Sequence, residues 1–133
     1  MGYTHYWKGK ANLDNQLIDE LNNLVSHGAL NRIIQKEYDQ AQVPDLVSLE
    51  NKRLRFNGIE DEGHETFVVV FNESLDFEFC KTARKPYDAY VVASLILITE
   101  ANERTGGDFS WSSNGDEGEG DFKEGKKLAD QFR

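Results

Sequence analysis

Cysteine is nearly absent from this chain: Cys80 is the only one in 133 residues. No internal disulfide can form, which points to a reducing compartment, and a multi-cysteine zinc site is excluded. Long apolar runs are missing too. No stretch is long enough to span a bilayer, so no membrane partner is expected. The opening "MGYTHYWKGK" has no apolar segment of the secretory type, and a soluble intracellular protein is the expectation. Positive charge is scarce, with 15 Lys plus Arg against 24 Asp plus Glu and a formal charge of -9. Such a surface repels a nucleic-acid backbone on average, so no duplex nucleic acid is expected as a partner. An acidic surface can instead imitate nucleic acid and occupy a DNA-binding protein. Internal repeats and domain linkers are also lacking, so residues 1–133 read as a single domain with one core.

Hydrophobic residues make up 38% and aromatic residues 11% of the chain, which is not a disordered composition. "GYTHYWKG" is dense in β-formers and reads as a short strand. Leu17, Ile18, Leu21, Leu24 and Val25 then fall at helical spacing, with Asp14 as the N-cap. Leu30, Ile33, Ile34 and Tyr38 make a second apolar stripe, and Gly28 either caps the first helix or bends a longer one. Pro44 closes this region. "KRLRFNGI" alternates, with Leu54 and Phe56 pointing inward and Arg53, Arg55 and Asn57 outward. "DEGHETFVVVF" becomes a strand from about Glu65, and its apolar Val68–Val70 run suggests a central strand. "NES" reads as a hairpin turn. "LDFEFCK" alternates again, with Leu75, Phe77 and Phe79 on one face.

"PYDAYVVASLILITEANERTGG" is the clearest helix. Pro86 suits its first turn, Asp88 its positive end and Gly106 its exit. It is apolar nearly all round, so it is expected to be central. "DFSWSS" is a short strand with Phe109 and Trp111 on one face. "NGDEGEGD" is an acidic glycine-rich loop, and "FKEGKKLADQF" is a terminal helix anchored by Phe122 and Leu128. The order is β-α-β-β-β-α-β-α. It predicts an α+β fold with an antiparallel-rich sheet and the two main helices packed on one face. The arrangement is a ferredoxin-like split βαβ order with an extra strand and a C-terminal helix.

Within the acidic chain, "FCKTARKPYD" gathers Lys81, Arg84 and Lys85 beside Cys80 and ahead of the central helix. A helix N-terminus offers unpaired N–H groups and partial positive charge. With Thr82 and Tyr87 beside them, these residues form a candidate cradle for a phosphate or carboxylate. Internal pairing with Asp76, Glu78 or Asp88 is the alternative. In the first strand, period two places Tyr3, His5 and Trp7 on one face. If that face is open, the triplet is a stacking platform for a base, with Arg53, Arg55 and Asn57 as polar neighbours. If it is closed, the triplet is core.

The words "MGYTHYW", "RFNGI", "HETF" and "FCKTARKPYD" stand together in that order. The chain resembles a family of small uncharacterised proteins of tailed bacteriophages and prophages. The resemblance implies expression in a bacterial cytoplasm during infection and, by analogy, host takeover or counter-defence. It supplies no catalytic residues, and no cofactor is expected.

Two catalytic alternatives follow from the residues. Cys80 becomes a nucleophile if the nearby cations lower its pKa and a base such as His5 reaches it. It is otherwise a small buried hydrophobe. His64 beside Glu65 suits a general base, or a metal site together with His5, but no ligand spacing supports either, and a surface histidine in a turn is the expectation. The acidic loop Asp116 to Asp121 lacks the ordered spacing of a calcium site. The reading that joins most of these signals is a non-enzymatic binding module for a small anionic, nucleotide-like molecule. The alternatives are an acidic decoy for a host protein and a small enzyme using Cys80 or His64. Self-association is allowed by all three.

Overall fold

A computed structural model describes residues 4–35, 46–113 and 120–133. Strand β1, Thr4–Lys10, lies between β4, Ser74–Lys81, and β5, Ser110–Ser113, and is antiparallel to both. Strands β2, Arg53–Phe56, and β3, Phe67–Val70, form a separate antiparallel pair. Helices α1, Asn15–Leu30, α2, Asp88–Thr105, and α3, Gly120–Phe132, complete an α+β fold. The element order is the one read from the sequence. The five strands of the described residues, however, hydrogen-bond as two sheets rather than one.

That division corrects two expectations. Val68–Val70 is not a central strand: within the described residues β3 pairs with β2 alone, and Val68 and Val70 are only half-buried. "NES" is not a hairpin turn either. Asn72, at φ 63, carries the chain from one sheet to the other, and its N–H bonds to the Ala11 carbonyl. An apolar triplet reads the same in a central strand as in a strand with helices or another sheet against it, so composition alone does not separate them.

The helices follow their sequence signals. Asp14 caps α1, its Oδ1 accepting from the Leu17 N–H at 2.8 Å, and Arg104 clamps the same carboxylate from the end of α2. The helix does not continue through the second apolar stripe. Asn31 caps it, Arg32 turns left-handed at φ 59, and the Gly28 carbonyl accepts from both Ile33 and Ile34. Leu30 is thereby left exposed, while Ile34 is buried and bridges to Gly58; Tyr38 and Pro44 lie outside the described residues. Helix α2 starts two residues after Pro86 and ends at a left-handed Gly106, φ 77. Every residue from Tyr90 to Leu95 is buried, so α2 is surrounded by packing partners, as its all-round apolarity predicts.

One core joins Leu17, Leu21 and Leu24 of α1, Val91, Leu95 and Ile98 of α2, and the inward residues Trp7 and Cys80 of the three-stranded sheet. Leu54 and Phe56 join it from the second sheet, as their alternation predicts. The opposite face of the three-stranded sheet is open, with Phe77 and Phe79 exposed.

Candidate functional site

The two faces of β1 decide what the sequence-derived site becomes. His5 is fully buried, and Trp7 is buried with its ring edge-on to Phe67 at 5.2 Å. The triplet face is therefore the closed one, and these two residues are no stacking platform; Tyr3 lies outside the described residues. Arg53, Arg55 and Asn57 belong to the other sheet and do not flank the triplet. Arg53 is exposed and Arg55 half-buried. Asn57 is buried and organises its own loop, bonding the Gly58 N–H, the His64 N–H and carbonyl, and the Thr66 hydroxyl. His64 is exposed in that loop, as expected of a turn histidine.

The stretch "FCKTARKPYD" resolves into a buried half and an exposed half. His5 and Cys80 are direct cross-strand partners and share the inner face. The His5 Nε2 hydrogen-bonds Asp88 Oδ1 at 2.6 Å, and the Thr82 hydroxyl donates to the same oxygen. All three side chains are buried, so each polar group needs such a partner. Asp88 also sits in the first turn of α2, where the helix dipole favours its carboxylate. Tyr87 is fully buried and donates its hydroxyl to the Glu65 carbonyl at 2.5 Å. The Cys80 thiol donates to that carbonyl at 3.5 Å.

Together these contacts staple the start of α2 to β1 and to the segment before β3. The helix end is consequently not an anion cradle. Its early N–H groups already serve the turn, with Asp88 bonding the Lys85 carbonyl and Tyr90 and Val91 the Tyr87 carbonyl, and its own Asp88 carboxylate supplies the negative charge. Thr82 and Tyr87 are likewise engaged inside. The thiol is not an activated nucleophile: burial, and then the charge of Glu65, push its pKa up to about 12, so it is protonated at neutral pH.

The exposed half is different. Lys81 is exposed, Arg84 is exposed in a left-handed conformation at φ 56, and Lys85 is half-buried. Lys81 ends β4, and its ammonium stands 6.0 Å from the centre of the Phe79 ring. Phe79 opposes Tyr6 across the strands. Phe77 lies 6.3 Å from Phe79 and 5.7 Å from Tyr6 between ring centres. Phe77 is 59% and Phe79 49% exposed, an apolar patch on a sheet face that nothing in the described chain covers.

A bulge shapes this patch. Trp7 pairs with Glu78 and Gly9 with Leu75, so Asp76 and Phe77 together oppose Lys8. Beyond the bulge Leu75 turns toward the core, and Phe77 stays outside. On the far side of β1, Ser112 pairs with Tyr6 and Ser110 with Lys8. An open groove of about 250 Å³ runs there between Tyr6, Lys8, Phe77, Ser110 and Ser112, floored by β1 and β5 at Trp7 and Trp111.

A second groove of about 360 Å³ lies between α2, β5 and α3. Trp111 stacks there on Phe122 at 5.5 Å, and Arg133 bridges Glu100 and Asp130. Its polar walls are largely consumed by docking α3. Among the described residues no group of three or more His, Cys, Asp or Glu is placed to hold a metal, and no helix is long and apolar enough to cross a membrane. Of the acidic stretch 114–121, residues 114–119 lie outside the described residues, and Gly120 and Asp121 belong to α3 rather than to a loop. Comparison with protein-family models, with curated proteins and with solved structures gave no match.

Proposed function

We propose that the protein is a binding module for a small nucleotide-like anion, which it takes on the open face of the three-stranded sheet. The carrying observation is the row of half-buried Tyr6 and exposed Phe77 and Phe79 that ends beside Lys81. A nucleobase stacks on such rings whatever its identity, and an ammonium at the end of the row meets the phosphate. Arg84 and Lys85 extend the positive edge from the adjoining turn. The ligand is small because the charge of -9 opposes a long polyanion while a local cation cluster still holds a short one. The phage resemblance supplies the setting: a host bacterial cytoplasm during infection, with sequestration or sensing of a nucleotide in host takeover or counter-defence.

Calorimetric titration with common mononucleotides tests this reading. Wild type should bind, and Phe79→Ala and Lys81→Ala should each weaken binding by about tenfold while remaining folded. Equal affinity in all three proteins would sink the aromatic-face site. Sedimentation at rising concentration tests the competing occupant, since self-association lost in Phe77→Ser and Phe79→Ser would make the face a homo-oligomer contact.

A further inference from the structure

We infer that the ligand is a dinucleotide, with one base on Phe79 beside Lys81 and the second in the groove between Tyr6, Phe77 and Ser112 beside Lys8. This deepens the nucleotide reading and rests on it. The ring geometry points to two planar groups. Phe77 and Phe79 are 6.3 Å apart and tilted by 38° to each other, so one flat ring cannot lie against both. That is the ordinary separation of residues two apart on one strand face, about 6–7 Å, so each ring presents its own face to a separate planar group.

The cations repeat the pattern. Lys81 pairs with Thr4, and Lys8 lies four residues further along β1. At about 3.4 Å per residue the two lysines are ~14 Å apart along the strand, one at each end of the aromatic row. Neither makes an ion pair with a described residue. Glu78 is the strand partner of Trp7 and leaves from the opposite face, and the Glu65 carboxylate is engaged by the Lys81 backbone N–H at 2.7 Å. The hydroxyls of Ser110 and Ser112 wall the groove side and can both donate to and accept from a base edge, whereas at the other end the Lys81 ammonium stands beside the Phe79 ring. The two ends therefore differ: one is suited to phosphate and stacking, the other to stacking and edge recognition.

The experiment compares the full mononucleotide set, the full set of linear dinucleotides and a long mixed-sequence oligonucleotide against the intact protein at one salt concentration. The dinucleotide that fits should bind about tenfold or more tighter than either of its mononucleotides, the gain expected from one further stacked base. Ser112→Ile, which fills the groove from an exposed position, should erase that gain and leave mononucleotide binding at Phe79 unchanged. Circular dichroism confirms that the variant is folded. If dinucleotides bind no better than mononucleotides, the second subsite is overturned and the mononucleotide reading survives. If the long oligonucleotide binds far more tightly than any dinucleotide, the ligand is a strand and the inference is overturned. If nothing binds, both readings fall together.

Discussion

Tyr6 and Trp7 are neighbours in the chain and opposites in role. Trp7 is 3% exposed and meets Phe67; Tyr6 looks outward to Phe77. Sequence alternation shows that the two faces of β1 differ but not which is buried, because both parities are aromatic. The structural outcome separates the variants. Trp7→Ala should cost about 3–5 kcal/mol of stability, the usual cost of emptying a large aromatic from a core. Phe79→Ala should stay within roughly 0.5 kcal/mol, as an exposed change does, and act on binding instead. Urea unfolding midpoints of the two variants check this, and a benign Trp7→Ala would remove Trp7 from the core.

Cys80 carries a second residue-scale prediction. Its folded pKa is raised from an ordinary value of 9.0 to about 12. Between those values the unfolded chain releases a proton that the folded chain keeps, so alkalinity favours unfolding. Its contribution is complete below pH 9 and falls as pH rises through the interval, by up to about 1.4 kcal/mol per pH unit. The neighbouring Tyr87 hydroxyl is shifted the same way, first by burial. Unfolding followed from pH 8 to pH 10 should show a falling limb that Cys80→Ala flattens. Alkylation of the native protein at neutral pH should be slow, and rapid modification would contradict the buried thiol.

At the scale of elements, α2 was legible because its signals agree: a proline before it, an acid in its first turn, a glycine at its exit and apolar residues all round. Leu95 is fully buried at its centre, and Leu95→Ala should cost about 2–5 kcal/mol. The anion cradle at its start was misread because sequence shows which charges are near a helix end but not which N–H groups a turn has already taken. The open aromatic face was hidden for a similar reason. "LDFEFCK" alternates like a half-buried strand, and only the bulge opposite Lys8 turns Leu75 in and leaves Phe77 out; no sequence signal marks it. Helix α3 depends on one close approach. A Cβ on Gly125 would stand 2.5 Å from the Val92 Cβ and 3.1 Å from the Ala89 carbonyl oxygen, closer than atoms pack. Gly125→Val should therefore lift α3 from α2, seen as lost hydrogen-exchange protection over residues 122–132 with α1 still protected.

For the whole molecule, class and element order are legible in the composition and periodicity, while the partition into two sheets is not, since the pairing partners of β1 lie far along the chain. Net charge acts at this scale too. A negative body repels an anionic ligand at long range, and the lysines attract it only nearby. Added salt screens both. Affinity for a nucleotide should therefore fall much less between low and physiological salt than it does for a basic binder making the same contacts. Titrations across that range measure the slope, and a steep polyelectrolyte-like loss would argue for a larger cationic footprint than Lys8, Lys81 and the adjoining turn.

The placement of β1 between β4 and β5 has a consequence for synthesis on the ribosome. The strand at the middle of the sheet is made first, and its two flanks are made later: Ser110 follows Lys10 by 100 residues. At about 5–20 residues per second, that gap lasts roughly 5–20 s. Until β4, Ser74–Lys81, has been made the nascent "THYW" segment has neither neighbour, and until β5 follows one edge still has its backbone hydrogen-bonding groups open to any extended chain nearby. Folding of the sheet is thus a late event. A transcript cut before residue 110 should yield a chain that chaperones retain, whereas one that passes it closes the remaining edge of β1.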